Sequence, residues 1–295
     1  MSSYNDYWFK SSDGLNLYAR DYPSGSAVKA PATTIVCIPG LTRNSADFAA
    51  LAPYLSKRFR VLAVDLRGRG KSEYDTDPNN YVPAVYVEDV QTLLDGLGLA
   101  SVILIGTSLG GLVSMLLSAM QPQRVASIIV NDIGPEVQQS GLERIKSYVS
   151  ARSSVASWPE AVRQTREILS REYPNFGLPE WEEFTRNLYR EGCDGCPILN
   201  YDAGISLPME QSQPVVEPAD LWPAFAAITS IPMLLFRGEL SDILSRDCAT
   251  RMLQRHSNME FVEVPDCGHA PLLTEVECLH AIENFLSPNK TSNEA

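Results

Sequence analysis

The chain has 295 residues, of which 44% are hydrophobic and 20% are charged. This is ordinary globular usage, and it excludes disordered, collagen-like and coiled-coil proteins. The net charge of −12 excludes the basic surface that nucleic-acid binding requires and disfavours an anionic membrane. No apolar run approaches the roughly 20 residues that span a bilayer, and the start of the chain has no export-signal pattern. We therefore expect a cytoplasmic protein with no membrane and no nucleic-acid partner.

Eight segments are predicted to be strands. The first two, residues 7–10 and 15–20, flank a Ser-Ser-Asp-Gly turn and are typical of an antiparallel hairpin. Six further apolar runs lack polar alternation, which indicates parallel strands covered on both faces. These runs are residues 33–38, 61–64, 102–105, 128–130, 233–236 and 261–264. Helical patterns lie between them, so we predict an α/β protein with a mostly parallel, doubly wound, eight-stranded sheet.

The strand–helix alternation breaks between residues 135 and 226. This stretch has no convincing strand run, and it contains helical patterns that include a capping box formed by Ser157 and Glu160. Residues 192–218 are rich in Gly and Pro, and we expect them to be irregular. We predict a helical cap at 135–226, inserted after the sixth strand into a core made of residues 1–134 and 227–295.

A Gly-x-Ser-x-Gly string at 106–110 directly follows the strand predicted at 102–105 and opens a helical segment. This strand–turn–helix setting is that of a nucleophile elbow, in which small residues flank a serine on a sharp turn. Ser108 is therefore the candidate nucleophile, exposed at one edge of the sheet.

His269 follows the last predicted strand and lies on the same edge of the sheet as Ser108, which makes it the candidate general base. The chain has only two other histidines. We expect His256 to be solvated at the end of a helix, and His280 to be partly packed within the last helix.

The carboxylate that orients the histidine should lie between Ser108 and His269 in the order Ser, Asp, His. Asp242 follows the seventh predicted strand, so it is the favoured candidate. Asp132, which follows the sixth strand, occupies the other rim where such an acid could lie and remains the alternative, with Glu239 a more remote third.

Acyl transfer also needs backbone donors for the oxyanion. By position, one is the amide of Leu109, which follows the nucleophile, and the other is the amide of Leu41 in the loop after the third strand. Their side chains carry no signal for this role.

The six cysteines are too sparse for a disulfide scaffold. Cys193 and Cys196 form a single C-x-x-C pair with no second pair and no nearby histidine. We expect no metal site there, and a structural or incidental role for the pair.

Several of these motifs together resemble the α/β-hydrolase superfamily: Pro39-Gly40-Leu41, the glycine-rich turn at 65–72, the Ser108 elbow, the loop at 237–242, and Gly268-His269. The chain is similar to the capped branch that holds carboxylesterases, enol-lactonases, cofactor-free perhydrolases and hydrolases of meta-cleavage products. Many relatives have His-Gly where this chain has Pro39-Gly40. The resemblance implies that no cofactor is needed and that Thr42 and Arg43 face the substrate pocket, although a surface ion pair is an alternative for Arg43.

The expected activity is hydrolysis of a small carboxylic ester or lactone through an acyl-enzyme on Ser108. Aromatic residues of the predicted cap, among them Trp158 and Trp181, favour an apolar or aromatic small-molecule substrate. One alternative is carbon–carbon bond hydrolysis of a ring-fission product, for which Arg43 or Arg190 would have to bind a carboxylate. A more remote alternative is a ligand receptor with an idle triad.

Overall fold

A single eight-stranded sheet organises the structure, a computed structural model that describes residues 4–25, 33–149, 155–208 and 220–287. Its strands lie in the order β1-β2-β4-β3-β5-β6-β9-β10. The strands β1 and β2 pair antiparallel, β2 pairs antiparallel with β4, and every other pairing in the sheet is parallel. All eight predicted strands are present, and the predicted α/β fold class is confirmed. The strands are β1 Asn5–Lys10, β2 Asn16–Tyr22, β3 Thr34–Ile38, β4 Val61–Asp65, β5 Val102–Thr107, β6 Val125–Asn131, β9 Met233–Gly238 and β10 Met259–Val264.

The central strands are buried on both faces, as their unbroken apolar runs predict. Every residue of β3, β4 and β9 is buried, whereas the edge strands β1 and β10 are largely exposed or half-buried. Side chains alternate between two hydrophobic clusters: Val36 and Ile38 belong to one, and Ile35 and Cys37 to the other. The sheet therefore has one hydrophobic core on each face. Around the central strands, polar groups can be exposed only in the loops at the ends of the strands.

The following helices complete the fold. They are α1 Leu51–Ser56, α2 Pro83–Gly96, α3 Leu109–Met120, α4 Gln139–Val149, α5 Trp158–Leu169, α6 Leu178–Leu188, α7 Trp222–Ala226, α8 Arg246–Arg255 and α9 Val276–Phe285. Short 3₁₀ turns add to them, as at Ser45–Phe48 and Ala203–Ser206. Among these helices, none combines the length and the apolar character needed to cross a membrane.

The segment between β6 and β9 is mostly helical and contains α4 to α7. The predicted capping interaction at the N-terminus of α5 is present, since the Glu160 amide donates to the Ser157 hydroxyl at 3.4 Å. The prediction that this segment lacks strands is wrong: β7 Tyr189–Glu191 and β8 Pro197–Leu199 form an antiparallel hairpin. Three residues per strand are too few to produce a recognisable period. Part of the stretch predicted to be irregular, residues 209–218, lies outside the described residues, and the domain boundaries stay a prediction.

The turn at 65–72 ends β4, and its polar groups bond within the protein. The Asp65 carboxylate accepts hydrogen bonds from the amides of Ser45 at 2.7 Å and Lys71 at 2.8 Å. The Arg67 guanidinium donates to Asp89 at 2.6 Å and 2.7 Å, and both side chains are buried. These contacts give the turn a structural role.

Neither histidine outside the candidate site lies where the sequence suggested. His256 is only 1% exposed rather than solvated, and its ring lies against that of Phe225. His280 is exposed rather than partly packed. The end of α8 turns inward at His256, a change of direction that helical periodicity does not encode.

Candidate active site

Ser108 lies on the sharp turn between β5 and α3. Its backbone adopts φ 53° and ψ −118°, a conformation that side chains other than glycine rarely occupy. The Ser108 amide donates to the Asn131 carbonyl oxygen at 2.9 Å, which ties the turn to the end of β6. The strained backbone is held by its surroundings and presents the hydroxyl at the carboxyl edge of the sheet.

The two glycines of the Gly-x-Ser-x-Gly string permit this turn because a Cβ would not fit at either position. A Cβ on Gly106 would lie 2.2 Å from the Gly110 carbonyl oxygen, and one on Gly110 would lie 2.0 Å from that of Ile38. Both distances are far below van der Waals contact. The strand, the helix and the loop after β3 can therefore approach one another only with glycine at these positions.

His269 meets Ser108 across the sheet edge. The Ser108 Oγ atom lies 2.7 Å from His269 Nε2, within hydrogen-bond distance. Hydrogen bonds on both sides fix the histidine loop: the Gly268 amide donates to the Glu172 carbonyl oxygen at 2.7 Å, and Asn131 Nδ2 donates to the Pro271 carbonyl oxygen at 2.7 Å. The predicted approach of these two side chains is thus present in the structure.

The carboxylate that contacts the histidine belongs to Asp132. Its Oδ2 atom lies 2.7 Å from His269 Nδ1, and the residue is completely buried at the end of β6. The same carboxylate accepts hydrogen bonds from the Gly238 amide at 3.1 Å and from the Ser241 hydroxyl at 2.6 Å. Asp132 has φ 57°, a left-handed conformation that aspartate tolerates better than most residues.

The prediction that Asp242 orients the histidine is therefore wrong. Asp242 forms a two-pronged ion pair with Arg144 of α4, at 2.6 Å and 2.7 Å. Burial would raise the pKa of Asp242, but the hydrogen bonds and positive charge of Arg144, with smaller contributions from His269 and the backbone, together lower the pKa below the ordinary value. The remote candidate Glu239 is not the partner either; its side chain accepts a hydrogen bond from the Asp266 amide.

A cavity of about 140 Å³ opens beside Ser108 and His269. Thr42 and Arg43 line it, as the resemblance implies, and so do Leu41, helices α4 to α6 and the β7–β8 hairpin. Trp158 and Trp181, predicted to bind substrate, do not line it. Trp181 is buried against Tyr173, Phe176 and Phe184, and the Arg186 guanidinium lies over the Trp158 ring. These tryptophans pack within the protein, a role that composition does not distinguish from binding.

The cavity contains one ion pair. Arg43 donates to the Asp47 carboxylate through Nε at 2.8 Å and Nη2 at 2.6 Å. The guanidinium also lies 4.1 Å from the ring centre of Phe184. Arg43 thus lines the cavity, as the resemblance implies, and its ion pair with Asp47 lies within the cavity lining rather than on the surface.

Two backbone amides are available beside Ser108. Leu109 is the first residue of α3, where a helix has no internal acceptor for its N–H groups. Within the described residues, the Leu41 amide donates to no other group of the protein, and its carbonyl oxygen accepts from Arg69 Nε at 2.8 Å. Gly40 lies close by, since a Cβ placed on it would be 3.7 Å from the Ser108 Cβ.

Comparison with known proteins shows the family and the fold. A family model described as the α/β hydrolase fold matches residues 33–276. The chain belongs to the α/β hydrolase family. It is 40% identical to the α/β hydrolase from Novosphingobium aromaticivorans, whose crystal structure superposes with a TM-score of 0.90 over 97% of this chain and 98% of that one.

Two relatives of this α/β hydrolase carry names that state different substrates. The chain is 35% identical over 247 residues to a 3-hydroxybutyrate-oligomer hydrolase of Cupriavidus necator, covering 82% of this chain and 84% of that protein. It is 30% identical over 257 residues to a 2-(acetamidomethylene)succinate hydrolase of Mesorhizobium japonicum, covering 84% and 85%. Both names are those of hydrolases of small molecules, so the coarse activity of this chain is hydrolysis.

No group of side chains in the described ranges has the composition of a metal site. Cys193 and Cys196 are free thiols. The Cys196 thiol donates to the Ala156 carbonyl oxygen at 3.4 Å, a contact between the β7–β8 hairpin and the start of α5.

Proposed function

We propose that the protein is a serine hydrolase that cleaves small carboxylic esters, including lactones, through an acyl-enzyme on Ser108. The observation that carries the proposal is the continuous chain of contacts from the Ser108 hydroxyl through His269 to the buried Asp132, with 2.7 Å at each step. A serine, an imidazole and a carboxylate in this order form the constellation of acyl-transfer enzymes.

In this mechanism, His269 Nε2 accepts the Ser108 proton while the serine oxygen attacks the ester carbonyl carbon. The resulting oxyanion accepts hydrogen bonds from the amides of Leu41 and Leu109, and collapse expels the alcohol with the proton from His269. His269 then activates a water molecule, which releases the acid. Asp132 holds the ring and stabilises the imidazolium without taking its proton.

In this proposal the segment 135–226 is the cap of the enzyme, and its helices α4 to α6 and its β7–β8 hairpin line the cavity beside Ser108. The lining is largely apolar, which suits a short aliphatic or aromatic acyl chain. The name of the Cupriavidus relative, an enzyme for oligomers of a hydroxy acid, supports an ester as the bond cleaved. A cytoplasmic location stays a prediction from the sequence.

Ester hydrolysis is favoured over cleavage of a carbon–carbon bond because the latter would need a cation free to hold a carboxylate. Arg43 is paired with Asp47, and Arg190 is an exposed residue of β7. The contact chain from Ser108 to Asp132 likewise favours an enzyme over a receptor with an idle triad.

Hydrolysis of p-nitrophenyl butyrate tests the proposal. We expect an initial burst of nitrophenol equal to the enzyme concentration, or a steady rate with ping-pong kinetics, which Ser108→Ala abolishes. Ser101→Ala, at an exposed serine before β5, is the matched control and should behave as the wild type. Equal turnover by Ser108→Ala and wild type would reject the proposal.

A further inference from the structure

The hydroxyl groups that line the cavity differ in whether they form a hydrogen bond within the protein. The Tyr173 hydroxyl donates to the Ala270 carbonyl oxygen at 2.8 Å, and the Thr107 hydroxyl accepts from Asn131 at 3.1 Å. In the described parts of the chain, by contrast, the hydroxyls of Tyr148 and Tyr201 have no hydrogen-bond partner. A polar group left without a partner in a largely apolar cavity is costly unless a ligand or water satisfies it.

These two tyrosines come from different parts of the segment between β6 and β9 and approach each other at the cavity. Tyr148 lies near the end of α4, and Tyr201 follows β8. Burial raises the pKa of Tyr201, and the nearby phenols of Tyr148 and Tyr189 raise it further. Burial likewise raises the pKa of Tyr148 to about 12. Both phenols therefore keep their protons at neutral pH and can donate hydrogen bonds.

The charges that face Tyr148 are already balanced. Arg43 is paired with Asp47, and Arg144 is paired with both Asp242 and Glu172. Two guanidinium groups thus stand against three carboxylates, and no positive charge is left to attract a substrate carboxylate. An uncharged oxygen can accept a hydrogen bond here, because it needs no positive charge to pair with it.

We propose that Tyr148 and Tyr201 form a subsite that hydrogen-bonds an uncharged oxygen of the substrate, remote from the bond that is cleaved. The preferred substrates are then esters whose chain carries a hydroxyl or carbonyl group, rather than plain aliphatic esters or esters with a free carboxylate. This inference rests on the proposed ester hydrolysis and adds the chemical class of the substrate.

Three p-nitrophenyl esters of similar length test the subsite: the butyrate, the 3-hydroxybutyrate and the hemisuccinate. For each enzyme, kcat/KM for 3-hydroxybutyrate is divided by that for butyrate. Comparing this ratio between wild type and Tyr148→Phe cancels the intrinsic reactivity of the esters. We expect the ratio to fall about 3- to 10-fold in Tyr148→Phe, the size of one lost neutral hydrogen bond, and to fall also in Tyr201→Phe.

Tyr173→Phe is the matched control, because its hydroxyl is engaged with the Ala270 carbonyl rather than available to a ligand. Its ratio should stay at the wild-type value, and the hemisuccinate should be a poorer substrate than the butyrate. An unchanged ratio in both Tyr148→Phe and Tyr201→Phe, or a preference for the hemisuccinate, would overturn the subsite. Turnover of the butyrate that depends on Ser108 would still support the proposed function in either case. Absence of such turnover for all three esters would overturn both proposals.

Discussion

Arg144 forms a two-pronged ion pair with Asp242 on the neighbouring loop, while His269 contacts Asp132 instead. The two carboxylates follow β6 and β9, which are adjacent in the sheet, so either could reach the histidine loop. The residue beside Asp242 supports the actual partner, because the Ser241 hydroxyl donates to Asp132 at 2.6 Å. The loop after β9 thus contributes a hydrogen bond to the Asp132 carboxylate and an ion pair to α4.

The assignment of the acid predicts unequal effects of two matched substitutions. Asp132→Asn should lower kcat by about 10³- to 10⁴-fold, because the amide favours the wrong tautomer of the imidazole. Asp242→Asn weakens an ion pair at a residue whose side chain is 33% exposed and should lower kcat by less than about 10-fold. Steady-state kinetics on an activated ester measures both. A larger loss of kcat in Asp242→Asn than in Asp132→Asn would instead assign the role of the acid to Asp242, on the loop after β9.

The close packing at the elbow predicts that Gly110→Ala is destabilising. The added Cβ would lie 2.0 Å from the Ile38 carbonyl oxygen, so backbone must move. We expect a loss of about 1–3 kcal/mol in the free energy of unfolding, together with lower activity because the loop that carries Leu41 shifts.

Gly96→Ala is the control for this substitution. Gly96 lies at the end of α2, and a Cβ there would meet no atom within 4 Å. Alanine should be neutral or stabilising by up to about 1 kcal/mol. Equal melting temperatures for the two variants in a thermal scan would show that the elbow tolerates a side chain at Gly110.

Because His256 is buried, we predict that the protein loses stability at mildly acid pH. Burial lowers the pKa of His256 in the folded protein below the ordinary histidine value of about 6.5. Between these two pKa values the unfolded chain binds more protons than the folded protein, so the free energy of unfolding falls as the pH falls below about 6.5. The slope contributed by one such group is at most about 1.4 kcal/mol per pH unit.

Urea denaturation at pH 7 and pH 5, applied to the wild type and His256→Gln, measures this contribution. The wild type should lose more stability between the two pH values than the variant does. His280→Gln, at an exposed position, should lose as much as the wild type. Identical losses in wild type and His256→Gln would exclude His256 as the source.

The sheet and the elbow could be predicted from sequence because their signals are local. A run such as 33–38 has no polar alternation because both faces of the strand are buried. Gly106 and Gly110 are needed because a Cβ at either position would clash with the backbone around the turn. The choice between Asp132 and Asp242 is not local. Both follow parallel strands at the same sheet edge, and the partner of each depends on where α4 places Arg144.

The pocket was the least predictable part for the same reason. The sequence favours Trp181 as a substrate-binding residue, but its ring is buried behind Tyr173 and Phe184, which line the cavity in its place. Tyr148 and Tyr201 line the cavity and carry no motif. Their approach requires α4 and the β7–β8 hairpin to fold over the sheet edge, and the hairpin strands are too short to be recognised from their sequence.

The most direct test of the central claim is the mass of the intact protein after reaction with a fluorophosphonate. The wild type should gain one phosphonyl group, located on Ser108 by peptide mapping, and Ser108→Ala should gain none. His269→Ala should react far more slowly, because the serine then lacks its base. A phosphonyl group found at the same rate and stoichiometry on Ser108→Ala would contradict the assignment of Ser108 as the nucleophile.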